Sequence, residues 1–370
     1  MTNSPAIVTL TLNPSIDIST VTDKVTTEHK LRCDHTREHP GGGGVNVARV
    51  LTRFGANCIA IHTAGGVRGQ LLQQLLEQDG VASMPVEIAG QTRESFTVTE
   101  RVGGGEYRFV LAGPELTPAE WQACIDRIAS LPQSAAYIVA SGSLPAGVPD
   151  DFYARVARAA RERGSRMVLD ASGPALAAAL SEGVYLVKPN LRELREYTGQ
   201  PLESESEWVR AAQALVEAGS AEVVALSLGH RGALLVASGL LLRAPAIPVQ
   251  IASTVGAGDS FVAAMVSRLA RGGSLEEAFR YGIAGGTAAL LASGTSLAHP
   301  EDTERLAAMV ELRIPGMDGE SAAEAAVERA LDHALAATFP ASDPIAVESV
   351  EQQIAERAPA QRLKRKSRKP

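Results

Sequence analysis

The sequence has few cysteines, few aromatic residues and little net charge, and these shortages exclude several classes of protein. Its three cysteines, Cys33, Cys58 and Cys124, lie far apart and form no C-x-x-C pair, so we expect neither a zinc cluster nor a disulfide framework. No run approaches the ~18 consecutive apolar residues of a membrane span. A formal charge of −7 gives the chain no general attraction for nucleic acid or anionic lipid.

Two common nucleotide-binding motifs are also missing. The glycines at 41–44 do not satisfy G-x-G-x-x-G, because the sixth position is Asn46 or Val47, and no acidic residue follows about 20 positions later. The pattern G-x-x-x-x-G-K-[ST] does not occur. A dinucleotide-binding fold and a P-loop enzyme are therefore disfavoured. The first residues lack a basic start followed by an apolar run, so we expect no signal peptide and a cytoplasmic protein.

What the sequence does contain is an alternation of strands and helices. Aromatic residues make up only 4% of the chain, so small aliphatic residues must fill the core, as in a parallel sheet under alanine-rich helices. From residue 119 onward, apolar strands alternate with helices, which predicts a doubly wound, mainly parallel α/β sheet with helices on both faces. Segments 13–40 and 86–112 alternate polar and apolar residues and predict a small β-sheet lid.

Four polar positions follow the predicted strands of this sheet. Ser141, Asp170, Lys188 and Ser227 each stand where an apolar strand ends. Ligands of open α/β sheets bind beyond the carboxyl ends of the strands, so we expect the site at this edge.

The C-terminal part, residues 314–370, differs from the rest. Residues 316–339 could form one helix, and residues 363–370 are a basic run. We expect a domain over 1–313, followed by a partly helical extension and a disordered basic tail. Contact of that tail with nucleic acid or another anionic surface is the alternative.

The strongest chemical signal is STVGAGDSF at 253–261. Gly256, Ala257 and Gly258 open a helix whose unpaired N–H groups could hold a phosphoryl group. Asp259 in the first turn could accept the proton of an attacking hydroxyl. An acid at a helix start can also simply favour the dipole, and on helix grounds alone the two interpretations are equal. The two glycines favour the catalytic one, because an ordinary cap does not need them.

Four motifs in order resemble the PfkB carbohydrate kinase family. They are VNVARVLTRFGA after glycines, KPN with Glu193, SLG-x-x-G-A and STVGAGDS, and the match spans residues 6 to 313. Within the family the chain is most similar to the 6-phosphofructokinases, because it contains TLNPSID and PGGGGVNVAR. Kinases of fructose 1-phosphate or tagatose 6-phosphate typically have Gly-Lys-Gly in place of the four glycines. The resemblance implies a ribokinase-like fold and phosphoryl transfer from ATP to fructose 6-phosphate. Those other two activities, and a non-catalytic sugar-phosphate sensor, are the alternatives.

The resemblance also implies roles for the matching positions. The residues implied in catalysis are Asp259, Gly256, Ala257, Gly258 and Lys30. Those implied in sugar-phosphate binding are Asp17, Lys30, Gly42, Gly43, Asn46, Arg93, Arg108, Ser143 and Asp259. Those implied in nucleotide binding are Lys188, Asn190, Glu193, Ser227, Gly229, Gly232, Thr254, Gly256 and Gly258. Glu193 would also serve Mg²⁺, whereas the two arginines could instead be solvated hairpin charges.

The family further suggests a monovalent cation, usually K⁺, and a partner copy. The backbone carbonyls implied in cation binding lie near Ser253, Val255, Ala289, Ala292, Gly294 and Ser296. Ala292 and Ser296 stand where close family members have Asn and Arg. Carbonyl ligands do not depend on the side chain, so we expect the site to persist with altered affinity. Lids of such kinases commonly pair, which implies a homodimer that covers the exposed lid sheet. The expected ligands are ATP and a sugar phosphate, without membrane or nucleic acid.

Overall fold

The computed structural model describes residues 6–27, 29–131, 134–292 and 296–315. The chain divides into two compact units, Met1–Glu320 and Ser321–Pro370. The second unit, with most of the predicted helical extension and all of the basic tail, lies outside the described residues. Within the described ranges, no helix is long and apolar enough to cross a membrane.

The strands form one large and one small sheet. In chain order they are β1 (Ile7–Thr11), β2 (Ser15–Thr22), β3 (Asp34–Gly41), β4 (Cys58–Ala64), β5 (Ser83–Glu87), β6 (Arg93–Glu100), β7 (Glu106–Val110), β8 (Tyr137–Ser141), β9 (Arg166–Asp170), β10 (Val184–Val187), β11 (Ala221–Ser227), β12 (Ala233–Ala237) and β13 (Leu240–Ala244). The large sheet has the order β13-β12-β11-β10-β9-β8-β1-β4-β5. Its strands from β11 to β5 run parallel, and β12 and β13 add an antiparallel edge.

Helices cover both faces of this sheet. They are α1 (Gly43–Arg53), α2 (Gly66–Gln78), α3 (Pro118–Ala129), α4 (Phe152–Glu162), α5 (Gly173–Glu182), α6 (Leu191–Thr198), α7 (Glu205–Glu217), α8 (Ala257–Ala270), α9 (Leu275–Leu291) and α10 (Pro300–Ala307). The core on one face is shared with α3 to α7, and the core on the other with α1, α2 and α8 to α10. The predicted doubly wound α/β architecture is confirmed.

Strand periodicity explains how one sheet supplies two cores. Along β1, Val8 and Leu10 belong to the core under α3 to α7, whereas Ile7 belongs to the other. Successive side chains of a strand point to opposite faces, so a strand that is apolar throughout fits a sheet buried on both sides.

The shortage of aromatic residues is matched by close helix packing. Helices α8 and α9 lie so near each other that a Cβ on Gly285 would be 2.6 Å from the Cβ of Ala264. Small side chains let the two backbones approach, which replaces the volume that aromatic rings would otherwise fill.

The small sheet is the predicted lid, with the order β3-β2-β6-β7. Its hairpin turns at Gly103 and Gly104, which have φ of 99° and 70°. The predicted lid boundary at 86 is wrong, because Val86 pairs with Thr63 in the large sheet and the lid strand starts only at Arg93. An edge strand with one solvated side alternates polar and apolar residues just as a lid strand does, so the pattern could not separate them.

Candidate active site

The carboxyl ends of neighbouring parallel strands bring polar side chains together, as predicted. Ser141 ends β8 and pairs in register with Asp170, which ends β9. Lys188 follows β10, and its ammonium nitrogen lies 3.1 Å from a carboxylate oxygen of Asp170. Ser227 ends the next strand, β11. The first turn of α8 meets this edge, since Ser141 donates a hydrogen bond to Asp259.

The start of α8 uses its two glycines differently. Gly256 has a φ of 72°, and a Cβ there would lie 2.2 Å from Cδ2 of Leu297, so the fold itself requires glycine. At Gly258 a Cβ would make ordinary contacts, 3.6 Å from Nζ of Lys188 and 3.8 Å from Oδ2 of Asp170. The missing side chain at 258 leaves open the space between the helix end and the ammonium group. Both would attract an anion placed there.

Asp259 is held at this space by two donors. Nδ2 of Asn46 lies 2.9 Å from one carboxylate oxygen, and Oγ of Ser141 lies 3.4 Å from the other. Removal from water raises the pKa of Asp259 to about 6, and the charge of Asp170 adds to this, whereas Asn46 and Lys188 oppose it. Such a carboxylate is ionised at neutral pH and still basic enough to accept a proton.

Lys188 is a buried cation surrounded by carboxylates. Burial alone would lower the pKa of Lys188, but Asp170, Glu193 and Asp259 raise it above its usual value. The ammonium group therefore stays charged beside the open end of α8. It can balance negative charge brought by a phosphoryl group.

The glycines before α1 are explained by close approaches. A Cβ on Gly41 would lie 2.3 Å from Cγ of Asp17, and a Cβ on Gly43 would lie 2.2 Å from Oγ of Ser141. Gly42 has a φ of 107°, which favours glycine. The start of α1 therefore lies directly against Asp17 in the lid and Ser141 in the main sheet.

The side chains of Asn46, which donates to Asp259, and of Asn13, which follows β1, each have an acceptor oxygen without a partner in the described ranges. Oδ1 of Asn46 is buried and has no hydrogen-bond partner among the described residues, and the same holds for Oδ1 of Asn13. Nδ2 of Asn13 donates to Oγ of Ser143 at 3.0 Å. An unpaired buried acceptor costs about 1–3 kcal/mol, so a ligand with several hydroxyl donors would be stabilised here. A sugar fits this requirement.

The lid brings Arg93 and Arg108 towards Asp17. Burial lowers the pKa of Arg93 from its usual value, the charge of Asp17 opposes this, and the charge of Arg108 adds to it. Arg93 also donates to the carbonyl oxygen of Asn13 at 3.1 Å, so it ties the lid to the end of β1. Arg108 is exposed on β7, and its charge partly opposes the rise in the pKa of Asp259. Both arginines therefore border the cleft.

The structure does not connect Lys30, another predicted site residue, with the rest of the site. It is exposed in the connection between β2 and β3, and it makes no hydrogen bond or ion pair in the described part of the chain. Its role near the transferred group stays a prediction.

The predicted nucleotide residues Asn190 and Glu193 form a capping box at the start of α6. The side chain of Asn190 accepts from the amide of Glu193 at 2.9 Å, and the Glu193 carboxylate accepts from the amide of Asn190 at 2.8 Å. This pair orders the loop after β10 and keeps Asn190 beside Ser227, to which it is bridged. Their nucleotide and magnesium roles stay predictions.

The remaining nucleotide residues lie along the same edge. Gly229 opens a short 3₁₀ turn with φ of 60°, and Thr254 is exposed just before α8. Gly232 has φ of 92°, and a Cβ there would lie 2.1 Å from the carbonyl oxygen of Ala244, so glycine is needed for the approach of β13. The glycine at 232 therefore has a structural reason besides the predicted one.

The structure brings together most of the predicted cation-binding segments. The amide of Ser253 donates to the carbonyl of Leu290 at 3.4 Å, which places the turn before α8 against the end of α9, where Ala289 lies. The carbonyl of Ser296 accepts a hydrogen bond from Arg53. Gly294 lies outside the described residues. Binding of K⁺ to the carbonyls at Val255, Ala292 and their neighbours stays a prediction.

Asp170 was expected at the edge of the site but without a chemical role, and Asn13 was not expected in the site. Asp170 raises the pKa of Asp259 and binds Lys188, and Asn13 offers a buried acceptor to the cleft. The signal available was position alone, since both residues stand at or just after the end of a parallel strand.

Gly258→Ala should lower kcat at least about tenfold, because the methyl group occupies the space before the α8 N–H groups. The free energy of unfolding should not fall, since alanine is a better helix former by about 0.5–1 kcal/mol. Gly256→Ala is the matched control, and there we expect a clear loss of stability from the clash with Leu297. Steady-state kinetics and thermal unfolding measure both. Full turnover by the Gly258 variant would show that the helix start does not hold the transferred group.

Comparison with known families places this geometry in context. The sequence profile of the pfkB family carbohydrate kinases matches residues 7–302. An ATP-dependent 6-phosphofructokinase isozyme 2 of Mycobacterium tuberculosis is 47% identical over 301 residues, which cover 81% of this chain and 88% of the relative. A 1-phosphofructokinase of Bacillus subtilis is 34% identical over 282 residues, or 76% of this chain and 91% of the relative.

Solved structures of related proteins are similar to this chain as well. A crystal structure of phosphofructokinase-2 from Escherichia coli in complex with fructose-6-phosphate has 40% sequence identity and a TM-score of 0.78, covering 82% of this chain and 98% of the other. The same Escherichia coli protein in complex with potassium has a TM-score of 0.79 at 41% identity, with the same coverage.

Proposed function

The chain belongs to the pfkB family of carbohydrate kinases, and we propose that it phosphorylates fructose 6-phosphate with ATP to give fructose 1,6-bisphosphate. The observation that carries this proposal is Asp259, a base with a raised pKa in the first turn of a glycine-opened helix. The 47% identity to a 6-phosphofructokinase, against 34% to a 1-phosphofructokinase, supports the choice of sugar phosphate. We place the reaction in the cytoplasm, where both substrates are held.

In the proposed mechanism, the residues of the cleft act mainly by position and charge. Asn46 orients the carboxylate of Asp259, which takes the proton of the acceptor hydroxyl. The N–H groups at Gly256–Gly258 and the ammonium group of Lys188 stabilise the charge on the migrating phosphoryl group. Arg93 and Arg108 bind the phosphate already on the sugar, and the lid excludes water.

We propose that two metal ions, Mg²⁺ and K⁺, assist the reaction with ATP. Mg²⁺ keeps several waters and binds through one or two carboxylates plus substrate phosphates, so a single protein carboxylate can be sufficient. Glu193 is the carboxylate we assign to it. The related Escherichia coli structure is a complex with potassium. For this chain we propose that K⁺ lies among the carbonyls between the turn at Ser253 and the end of α9.

The test of the function is a substrate panel. ADP release should be measured with fructose 6-phosphate, fructose 1-phosphate and tagatose 6-phosphate at matched concentrations. We expect kcat/KM for fructose 6-phosphate to exceed the others at least about tenfold. Preference for another sugar would identify one of the two related kinases, and absence of ATP turnover would identify a non-catalytic sensor.

We propose that the kinase domain spans residues 1–313. The backbone bridge between Arg313 and Arg243 in β13 supports a boundary at this position. The remaining residues, 314–370, carry none of the assigned catalytic or binding groups.

We also propose that two copies pair through their lids. On β7, Tyr107 and Phe109 share a face that is apolar and exposed, with 54% of Phe109 accessible, whereas Arg108 points to the other face. Phe96 lies opposite Phe109 and extends this face. An apolar sheet face of this kind on a single copy would be unfavourable in water.

Phe109→Glu should convert the proposed dimer to a monomer without loss of folding, because the side chain is exposed within one copy. Analytical ultracentrifugation of the variant and the wild type measures the change. Val67→Glu, on an exposed position of α2, is the matched control and should remain dimeric. A wild type that sediments as a single chain would contradict the pairing.

A further inference from the structure

A depression of about 190 Å³ lies at the C-terminal end of α8, the end remote from Asp259. A helix of this length separates the two ends by ~20 Å. Its lining includes Arg53, Ser267, Arg268, Arg271, Tyr281 and Glu304. The proposed kinase mechanism uses none of them.

One of the three arginines is neutralised within the fold. Arg268 forms an ion pair with Glu304 at 2.6 Å, and its guanidinium lies 3.5 Å from the ring centroid of Tyr281. The hydroxyl of Tyr281 also donates to Glu304. The positive and negative charges on this side of the depression therefore balance each other.

The other two arginines have no carboxylate partner in the described part of the chain. Arg53 donates to the carbonyl of Ser296, and Arg271 donates to the carbonyl of Phe54. A guanidinium has five N–H donors, so each side chain can still donate to a ligand.

Arg53 is in addition partly removed from water. Its side chain is only partly exposed. The carboxylate of Asp79 already accepts from Nε of Arg49 at 2.6 Å. An anion in the depression would stabilise the half-buried charge of Arg53.

A simpler explanation is that these arginines favour the helix dipole, because Arg53 ends α1 and Arg271 caps α8. That effect places one cation at each of two helix ends, so it accounts for both positive charges. It does not explain why both arginines and the buried residue Ser267 line one depression.

We propose that this depression binds a phosphate-type dianion, either free phosphate or the phosphoryl group of a small metabolite. Arg53 and Arg271 supply charged donors, and Ser267 is a further lining residue. The volume suits this class, since a water occupies about 30 Å³ and the depression would hold a phosphoryl group with a short carbon chain.

Isothermal titration of the full chain tests the proposal, with inorganic phosphate and glycerol 3-phosphate as probes at constant ionic strength. The charge-reduced variant is R53Q/R271Q. The matched control is R127Q/R158Q, which removes two exposed arginines of α3 and α4 that do not line the depression. Binding, rather than turnover, is the readout, so the result does not depend on the proposed kinase activity.

We expect the wild type and the control to bind the two probes equally. In R53Q/R271Q, one of the binding events seen in the titration should be lost or at least about tenfold weaker. Tighter binding of glycerol 3-phosphate would identify a metabolite, and equal or weaker binding would identify free phosphate. If R53Q/R271Q does not fold, R271Q alone, at an exposed position, should weaken binding at least about threefold. Equal binding by the folded arginine variant and the wild type, equal weakening in the control, or absence of wild-type binding would overturn the proposal.

Discussion

Asp259→Asn should lower kcat by ~10²–10⁴-fold, or about 3–5 kcal/mol of barrier, while nucleotide binding stays near that of the wild type. Asparagine keeps the shape of the side chain and can still accept from Nδ2 of Asn46, but it cannot take a proton. A loose transition state needs little deprotonation early, and in that case the loss lies at the low end of the range. Steady-state kinetics on the purified variant measure the change.

The matched control is Glu276→Gln, an acid in the first turn of α9. It shares the helix-start position of Asp259 but not the cleft, so its turnover should equal that of the wild type. If Asp259→Asn turns over within about tenfold of wild type, the acid would serve only the helix and the proposed base would be wrong.

The pH dependence offers an independent readout of the same residue. Burial and the charge of Asp170 raise the pKa of Asp259 to about 6, so kcat/KM of the wild type should fall as the pH drops below that value. The residual activity of Asp259→Asn should not show this fall at low pH, which is the acid limb of the pH profile.

The effect of Asp259→Asn on the free energy of unfolding should be opposite to the effect expected if Asp259 served only the helix start. The pKa of Asp259 is higher in the folded chain than in the unfolded one, so folding favours the protonated form. The contribution to stability is present below the unfolded pKa and is lost as the pH rises through about 6. At pH 8 the Asn variant should therefore be no less stable than the wild type, whereas loss of a helix-start acid alone would cost up to ~1 kcal/mol.

The parts of the fold that follow from local pattern could be predicted. Strands such as β8 and β9 are short apolar runs that end in polar residues, and the helices between them show the expected periodicity. Ser141, Asp170, Lys188 and Ser227 meet at one edge because parallel strands share their direction. Their grouping followed from topology without any knowledge of side-chain contacts.

Features that depend on contacts between distant segments could not be predicted. The boundary at 86 was wrong because an edge strand and a lid strand show the same alternation. The need for glycine at 41 and 43 comes from Asp17 and Ser141, which approach from other elements. No spacing in the sequence indicates such approaches.

Charge couplings are likewise a property of the folded chain. Asp170 has no motif of its own, yet it binds Lys188 and raises the pKa of Asp259. These effects require burial and distances of a few ångströms, which only the assembled sheet provides.

Arg108→Ala should raise KM for the sugar phosphate about 10–150-fold, because a charged hydrogen bond to phosphate is worth roughly 1.5–3 kcal/mol. Of the two lid arginines, Arg108 is the one whose substitution is easier to interpret. It is exposed on β7, whereas Arg93 also holds the carbonyl of Asn13 and its loss would loosen the lid. KM for ATP and the melting temperature should stay near wild type, since the contact is made to the sugar phosphate alone.

Arg101→Ala is the matched control, because Arg101 lies in the same lid but pairs with Asp23 and Asp34. Its KM for the sugar phosphate should be unchanged, and Arg108→Lys should recover part of the loss by restoring a point charge. Removal of the positive charge at 108 should also raise the pKa of Asp259, so the acid limb of the pH profile should move to higher pH. An Arg108→Ala enzyme with an unchanged KM and an unchanged limb would mean that Arg108 does not face the cleft, and the 6-phosphate would have to be bound elsewhere.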